Sequence, residues 1–170
     1  MMHKRVINPI YILAFGFLLS SACDHGLAPD ETEKIVGTGI SGSIIYTGTW
    51  PADSLVLDLK LVVFQNIPTD STQVISDVIQ GKAFVYPENL VESLPYGVSE
   101  TQYIMTLNPG SYEYIVVAQQ YGSIFQWRLV GQYDTNPGDP QPSGVTVVDN
   151  VMLTDIDIHV DWDNPPVQPF

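Results

Sequence analysis

The chain has 170 residues, with 6 Lys and Arg against 19 Asp and Glu, a formal net charge of −13 and a single cysteine, Cys23. That charge balance excludes a nucleic-acid binder, which needs a basic footprint, and excludes electrostatic adhesion to anionic lipid. One cysteine excludes a disulfide within the chain, and a single domain of this size buries enough surface to fold without one.

The first residues carry Lys4 and Arg5, and a mostly apolar run follows at 6–19, broken by Asn8 and Pro9. Ser20, Ser21 and Ala22 end it. A charged start, a short apolar stretch and a small-residue exit are the three parts of a secretory signal peptide. The run is short of the roughly 20 apolar residues that cross a bilayer. Leu19-Ser20-Ser21-Ala22-Cys23 resembles the lipobox of bacterial lipoprotein signal peptides, with Ser20 where Leu is usual. The resemblance implies loss of residues 1–22, a diacylglycerol on the Cys23 sulfur and an acyl chain such as palmitate on its amine. Two or more chains anchor a protein stably where one does not. Ordinary secretion and an uncleaved anchor are the alternatives. The expected place is the cell envelope, with the outer membrane favoured over the inner. The remaining chain, 23–170, would hold 4 basic and 19 acidic residues, a net of −15.

Residues 24–38 are polar and without period, as in a linker between lipid and domain. His25 lies there as a solvated residue. Gly37-Thr38-Gly39-Ile40-Ser41-Gly42 matches G-x-G-x-x-G, but a linker precedes it and a strand follows, so it is no dinucleotide site. From Gly39 the period becomes two, which predicts a first strand at 39–47. Residues 48–53 turn. Residues 55–64 alternate as a long strand, with Leu55, Leu57, Leu59, Leu61 and Val63 on one face and a part-solvated second face. Residues 71–80 suit a short helix capped by Asp70 or Ser71, residues 82–86 a short strand, and residues 87–92 a single helical turn with Pro first. Strands follow at 101–107, 111–120, 124–133, 145–148 and 152–162, separated by Asn108-Pro109-Gly110, Tyr121-Gly122-Ser123 and the loop 134–144. Residues 164–170 form a proline-rich tail. About seven turn-separated strands predict an all-β sandwich over 39–163.

Leu107-Asn108-Pro109-Gly110-Ser111-Tyr112, continuing to Val116, resembles the L-x-P-G-x-Y-x-x-x-V hairpin of transthyretin-like domains, among them the carboxypeptidase regulatory-like, prealbumin-like modules of bacterial surface proteins. Ile40-Ser41-Gly42-Ser43-Ile44 resembles their V-x-G-x-V opening strand. The resemblance implies a β-sandwich with the tyrosine packed inside. Both motifs mark fold, and neither marks chemistry.

Candidate sites are few. Asp155, Asp157, His159, Asp161 and Asp163 recur at every second residue and would share one face of a straight strand. Carboxylate oxygens suit Ca2+ and one imidazole admits zinc. Neighbours on such a face stand roughly 6.5–7 Å apart, so the solvent face of an amphipathic strand is the competing reading. Asp134-Thr135-Asn136-Pro137-Gly138-Asp139 faintly resembles a calcium loop but lacks its closing Glu. Trp50 and Tyr96, in loops, are candidates for a sugar-stacking platform if exposed and coplanar. Catalytic signatures are missing, and His159 is the only histidine within 39–163. The sequence therefore reads as a non-catalytic accessory or interaction module with an envelope-protein or glycan partner. A carbohydrate-binding lipoprotein and a calcium-stabilised adhesion module are the alternatives.

Overall fold

The computed structural model describes residues 36–136, 138 and 141–170. The lipobox, Cys23 and most of the linker lie outside the described residues. So do Pro137, Asp139 and Pro140 of the 134–144 loop.

Among the described residues the fold is all-β with one α-helix. Its strands are β1 (Gly39–Thr47), β2 (Asp58–Phe64), β3 (Ala83–Tyr86), β4 (Glu100–Thr106), β5 (Gly110–Tyr112), β6 (Tyr114–Gln120), β7 (Trp127–Gln132), β8 (Val145–Val147), β9 (Met152–Leu153) and β10 (Ile158–Asp161). The helix is α1 (Ser71–Ile79). The main sheet has the order β3-β2-β6-β7-β10-β1-β4, with β9 on β1, and β5 pairs separately with β8. Although β3 and β4 end this order, the rings of Tyr86 and Tyr103 lie 6.2 Å apart. The sheet must therefore curl until side chains of its two end strands meet in the core. The curl encloses Ile40, Ile44, Leu61, Ile115, Val117 and Ile158, all without solvent exposure.

The long second strand is shorter than its alternation suggests. Residues Asp53–Leu55 form a 3-10 turn, and Leu55 and Leu57 are exposed. From Leu59 to Phe64 every residue is buried, so the second face of β2 is covered rather than part-solvated. Two things cover it. Helix α1, capped by the Asp70 carboxylate accepting the Gln73 N–H at 2.9 Å, lays Val74 and Val78 over Val62 and Phe64. At the other end Lys60, 3% exposed, donates to the carbonyls of Asn89, Leu90 and Glu92 and lies 3.7 Å from the Asp58 carboxylate. Those carbonyls solvate a charge that would be costly if left alone in the interior. Residues 87–92 are thus a turn closed by Glu92 N–H on the Asn89 carbonyl, not a helical one.

The expected single strand at 111–120 is broken at Glu113. Tyr112 belongs to the main core, whereas Tyr114 and Val116 belong to the cluster beneath α1. Nor is Pro109-Gly110 the turn of a hairpin: β4 pairs with β1, β5 with β8, and β6 with β2 and β7. The segment instead carries the chain from one side of the core to the other. Tyr112, 1% exposed, fastens that corner by donating its hydroxyl to the Asn108 carbonyl at 2.9 Å. A tyrosine bonding back to backbone a few residues upstream is a corner device of Greek-key sandwiches. Strand β7 starts only at Trp127 and carries a bulge, since Val117 faces Gly131 while Ala118 faces Leu129. Val130 is the extra residue. The bulge sends Val130 into the main core and Leu129 into the second cluster.

Tyr112→Phe keeps the ring and deletes the corner hydrogen bond. It should cost about 1 kcal/mol in urea unfolding, without a change in m-value.

Candidate functional site

The acidic row near the C-terminus is not one strand. The segment pairs in parallel with β1 twice, Gly39 with Met152 and Ile40 with Leu153, then Ile44 with Ile158. Between Ile40–Leu153 and Ile44–Ile158, three residues of β1, 41–43, therefore face four of the later segment, 154–157, and the extra residue bulges out there. Asp155 takes a left-handed conformation there, φ 62°. The bulge sits directly on Gly42, where a Cβ would come 2.3 Å from the Ile156 carbonyl oxygen. Only glycine leaves that room. Other bonds take the place of the interrupted ladder. Ile156 N–H donates to the Ser41 carbonyl at 3.1 Å. The Ile156 carbonyl accepts the buried Tyr103 hydroxyl at 2.6 Å. The Asp157 carboxylate accepts the Ser43 N–H at 2.8 Å.

This geometry disperses the five expected ligands. Asp155 turns to its neighbour Thr154 at 2.9 Å. Asp157 is taken up by β1. His159 is exposed on β10 between Gln132 and Ile45. Asp161 and Asp163 meet under the turn after β1, where a Cβ on Gly48 would lie 2.9 Å from Asp163 and 3.0 Å from Asp161 oxygens. Asp161 accepts from the Asn164 amide at 3.0 Å and the Asp163 N–H at 3.1 Å. These donors hold its carboxyl below the usual range. Asp163 accepts the Thr49 N–H at 3.3 Å. The shared face expected of a straight strand is therefore not formed, because the bulge resets the alternation and each carboxylate except Asp155 caps backbone N–H groups. Among the described residues no three His, Cys, Asp or Glu side chains gather as a metal site. In the loop that follows β7, Asp134 accepts the Asn136 N–H at 2.8 Å and the Ser143 hydroxyl at 3.3 Å, which is turn chemistry.

Trp50 and Tyr96 do come together, but not as a flat platform. Their rings stand 5.0 Å apart at 68°, edge to face. Trp50 is half-buried between Tyr46 at 4.9 Å and Trp162 at 4.6 Å. Its indole donates to the Val98 carbonyl at 3.2 Å, and Tyr96 donates its hydroxyl to the Pro51 carbonyl at 2.7 Å. The four rings pin the loops 48–53 and 94–99 to the end of the sheet. The expected coplanar pair is thereby corrected to a packed cluster, since Trp50 is drawn against the core by Trp162.

A feature that the alternation hides lies at the start of β2 and the β6–β7 turn. Leu57 N–H donates to the Gln120 carbonyl at 2.9 Å and the Gln119 amide to the Leu55 carbonyl at 2.7 Å, joining the two. Gln119 is fully buried, and its amide oxygen accepts from Arg128 at 2.8 Å. On this frame Leu55, Leu57, Tyr121, Ile124 and Phe125 are all exposed, Ile124 and Phe125 by 71% and 70%. The alternation puts Ile124 and Phe125 in a strand at 124–133. They stand in the turn before it instead, because Tyr121 N–H closes on the Gln126 carbonyl and the Trp127 indole on that of Ile124. The ladders fix where this tip lies. β1 is parallel to β10 and β10 antiparallel to β7, so the start of β7 and the start of β1 are at opposite ends.

Comparison with family models, with curated proteins and with solved structures finds no match.

Two predictions test this geometry. Asp157→Ala removes the acceptor of the Ser43 N–H and should cost about 1–3 kcal/mol in chemical unfolding, whereas Asp157→Asn, which keeps an acceptor, should cost less. Burial raises the Tyr46 and Tyr114 hydroxyls from 10.0 to about 12, and raises Tyr103 further with help from the Asp157 charge. The folded state thus favours the neutral phenols. Their contribution is fully present below pH 10 and is lost as pH rises through 12. The urea midpoint should fall across that alkaline window, and Tyr114→Phe should make the fall shallower.

Proposed function

We propose that the chain is a bacterial envelope lipoprotein, anchored in the outer membrane through lipid on Cys23, whose β domain is a non-catalytic interaction module. The observation that carries this is the order Lys4-Arg5, an apolar run, then Leu19-Ser20-Ser21-Ala22-Cys23. A thiol that becomes the N-terminal residue has a defined fate there, and no other cysteine competes for it. The finer reading of the domain is a transthyretin-like sandwich, with β3-β2-β6-β7 as one layer and β10-β1-β4 as the other. It is supported by the buried Tyr112 corner and by Gly42 in the opening strand, the two motifs of the resemblance.

The interaction surface proposed is the apolar tip. Exposed Leu55, Leu57, Ile124 and Phe125 are held on hydrogen-bonded turns, so presenting them costs little ordering on association. The tip lies at the end of the sheet away from the start of β1, into which a tether from Cys23 leads. The chain as a whole is strongly acidic, so a protein partner with an apolar contact and basic groups around it fits.

Mass spectrometry of the N-terminus of the protein isolated from membranes should show Cys23 as the first residue, bearing diacylglycerol and an amide-linked acyl chain. Cys23→Ser should release the domain from the membrane fraction. An unmodified Cys23 in the native protein would remove the proposal.

A further inference from the structure

The curled sheet leaves two edges, and they differ. β3 is four residues long, is followed by Pro87, and has α1 beside it, with Lys82 N–H bonded to the Asp77 carbonyl. Shortness, proline and a covering helix are the usual protections of an edge. β4 has none of them. It runs seven residues, Glu100–Thr106, with no proline, no lysine and no bulge against β1.

The ladder shows which of its backbone groups are free. Ser99 accepts from Tyr46 and Leu107 donates to Thr38, so the odd-numbered residues of this stretch point their N–H and C=O at β1. In an antiparallel pair the even-numbered ones must then point away. Glu100, Gln102, Ile104 and Thr106 therefore present four N–H and four C=O groups along an edge on which no other strand pairs among the described residues. Their side chains are the exposed ones of β4, whereas Thr101 is half-buried and Tyr103 and Met105 are buried. Ile104, 51% exposed, is an apolar side chain in the middle of that edge.

We propose that β4 is a self-association edge, on which a second copy of this chain pairs its own β4 in antiparallel sense. The strand is self-complementary in one register. With the two-fold axis at Tyr103, Gln102 faces the partner copy's Ile104 and Glu100 faces the partner copy's Thr106. Only there do all four outward residues of both strands find a partner; a shift of two residues leaves some unpaired. The same register keeps acid from facing acid, because the one charge on the strand, Glu100, meets a threonine. Glu100 is in addition turned toward its own β1, where it accepts the Ser43 hydroxyl at 2.6 Å. The two Ile104 side chains become diagonal neighbours, in reach of one another across the new ladder. Such an interface is isologous and closes on itself, so it ends at two copies. The two acidic bodies repel each other, and added salt should strengthen the pairing by screening them. The proposal does not depend on the lipid anchor.

Register-specific cross-linking in the full chain tests it. In a Cys23→Ser background, Gln102→Cys and Ile104→Cys change two exposed side chains and leave the β1–β4 bonds in place. A hydrogen-bonded antiparallel pair has its Cα atoms about 5.5 Å apart, inside the roughly 4.4–6.8 Å that a disulfide spans. Mixing the two variants under mild oxidation should give a covalent dimer several-fold faster than either alone, and faster than Thr72→Cys on the exposed start of α1. Glu100→Cys mixed with Thr106→Cys should behave in the same way. Adding Gln102→Pro to this second pair removes an outward N–H without touching β1, and should abolish its excess. Circular dichroism of each variant checks that the fold is kept. Equal rates in all mixtures, or no covalent dimer in any, would overturn the proposal.

Discussion

The seating of the 154–157 bulge on Gly42 is the contact on which the rest of this fold depends. β1 has neighbours along both sides, β4 on one and β9 with β10 on the other. One extra residue in the later segment has to be accommodated between Ile40 and Ile44, both fully buried. The missing Cβ of Gly42 makes the space, and the Tyr103 hydroxyl, the Asp157 carboxylate and the Ser41 carbonyl take up backbone groups that the bulge takes out of the ladder. Answering those groups from within the sheet is what makes a break in its middle tolerable. The same device decides chemistry: it turns a row of carboxylates into separate caps.

The curl of the sheet follows from local irregularities of the same kind. The break at Glu113 moves the chain from one face of the core to the other, and the bulge at Val130 does so within β7. Each flips the alternation once, so that a single run of apolar residues feeds two clusters. The second cluster is small and would be open to water without α1. That helix and the Lys60 clamp on residues 89–92 therefore have structural reasons to be where they are, and account for a segment, 67–97, in which sequence patterning is weakest.

Much of the element list is legible in the sequence. The strand at 39–47, the helix with its Asp70 cap and the short strand at 83–86 lie where period, capping and turn residues place them. The site is less legible. Asp155 to Asp163 read as one face because alternation assumes an unbroken strand, and nothing local marks the break except Asp155 in a conformation that aspartate tolerates. Trp50 and Tyr96 read as loop residues and are, but whether two rings lie flat or edge to face depends on Trp162 and Tyr46, which come from other elements. The apolar tip is hidden for the opposite reason, since Leu55, Leu57 and Phe125 continue the alternation of the strands they precede.

The sequence by itself determined the all-β class, the acidic character and the first strand, because these rest on composition and local patterning, and it left the cap of the short helix open between Asp70 and Ser71. Only the tertiary structure decided which strands pair, where β9 and β10 part, why glycine stands at position 42, which apolar residues stay exposed and which edge stays open. Those outcomes depend on close approaches between residues far apart in the chain, 64 positions for Leu55 with Gln119 and 114 for Ser43 with Asp157, and local pattern holds no information about such contacts.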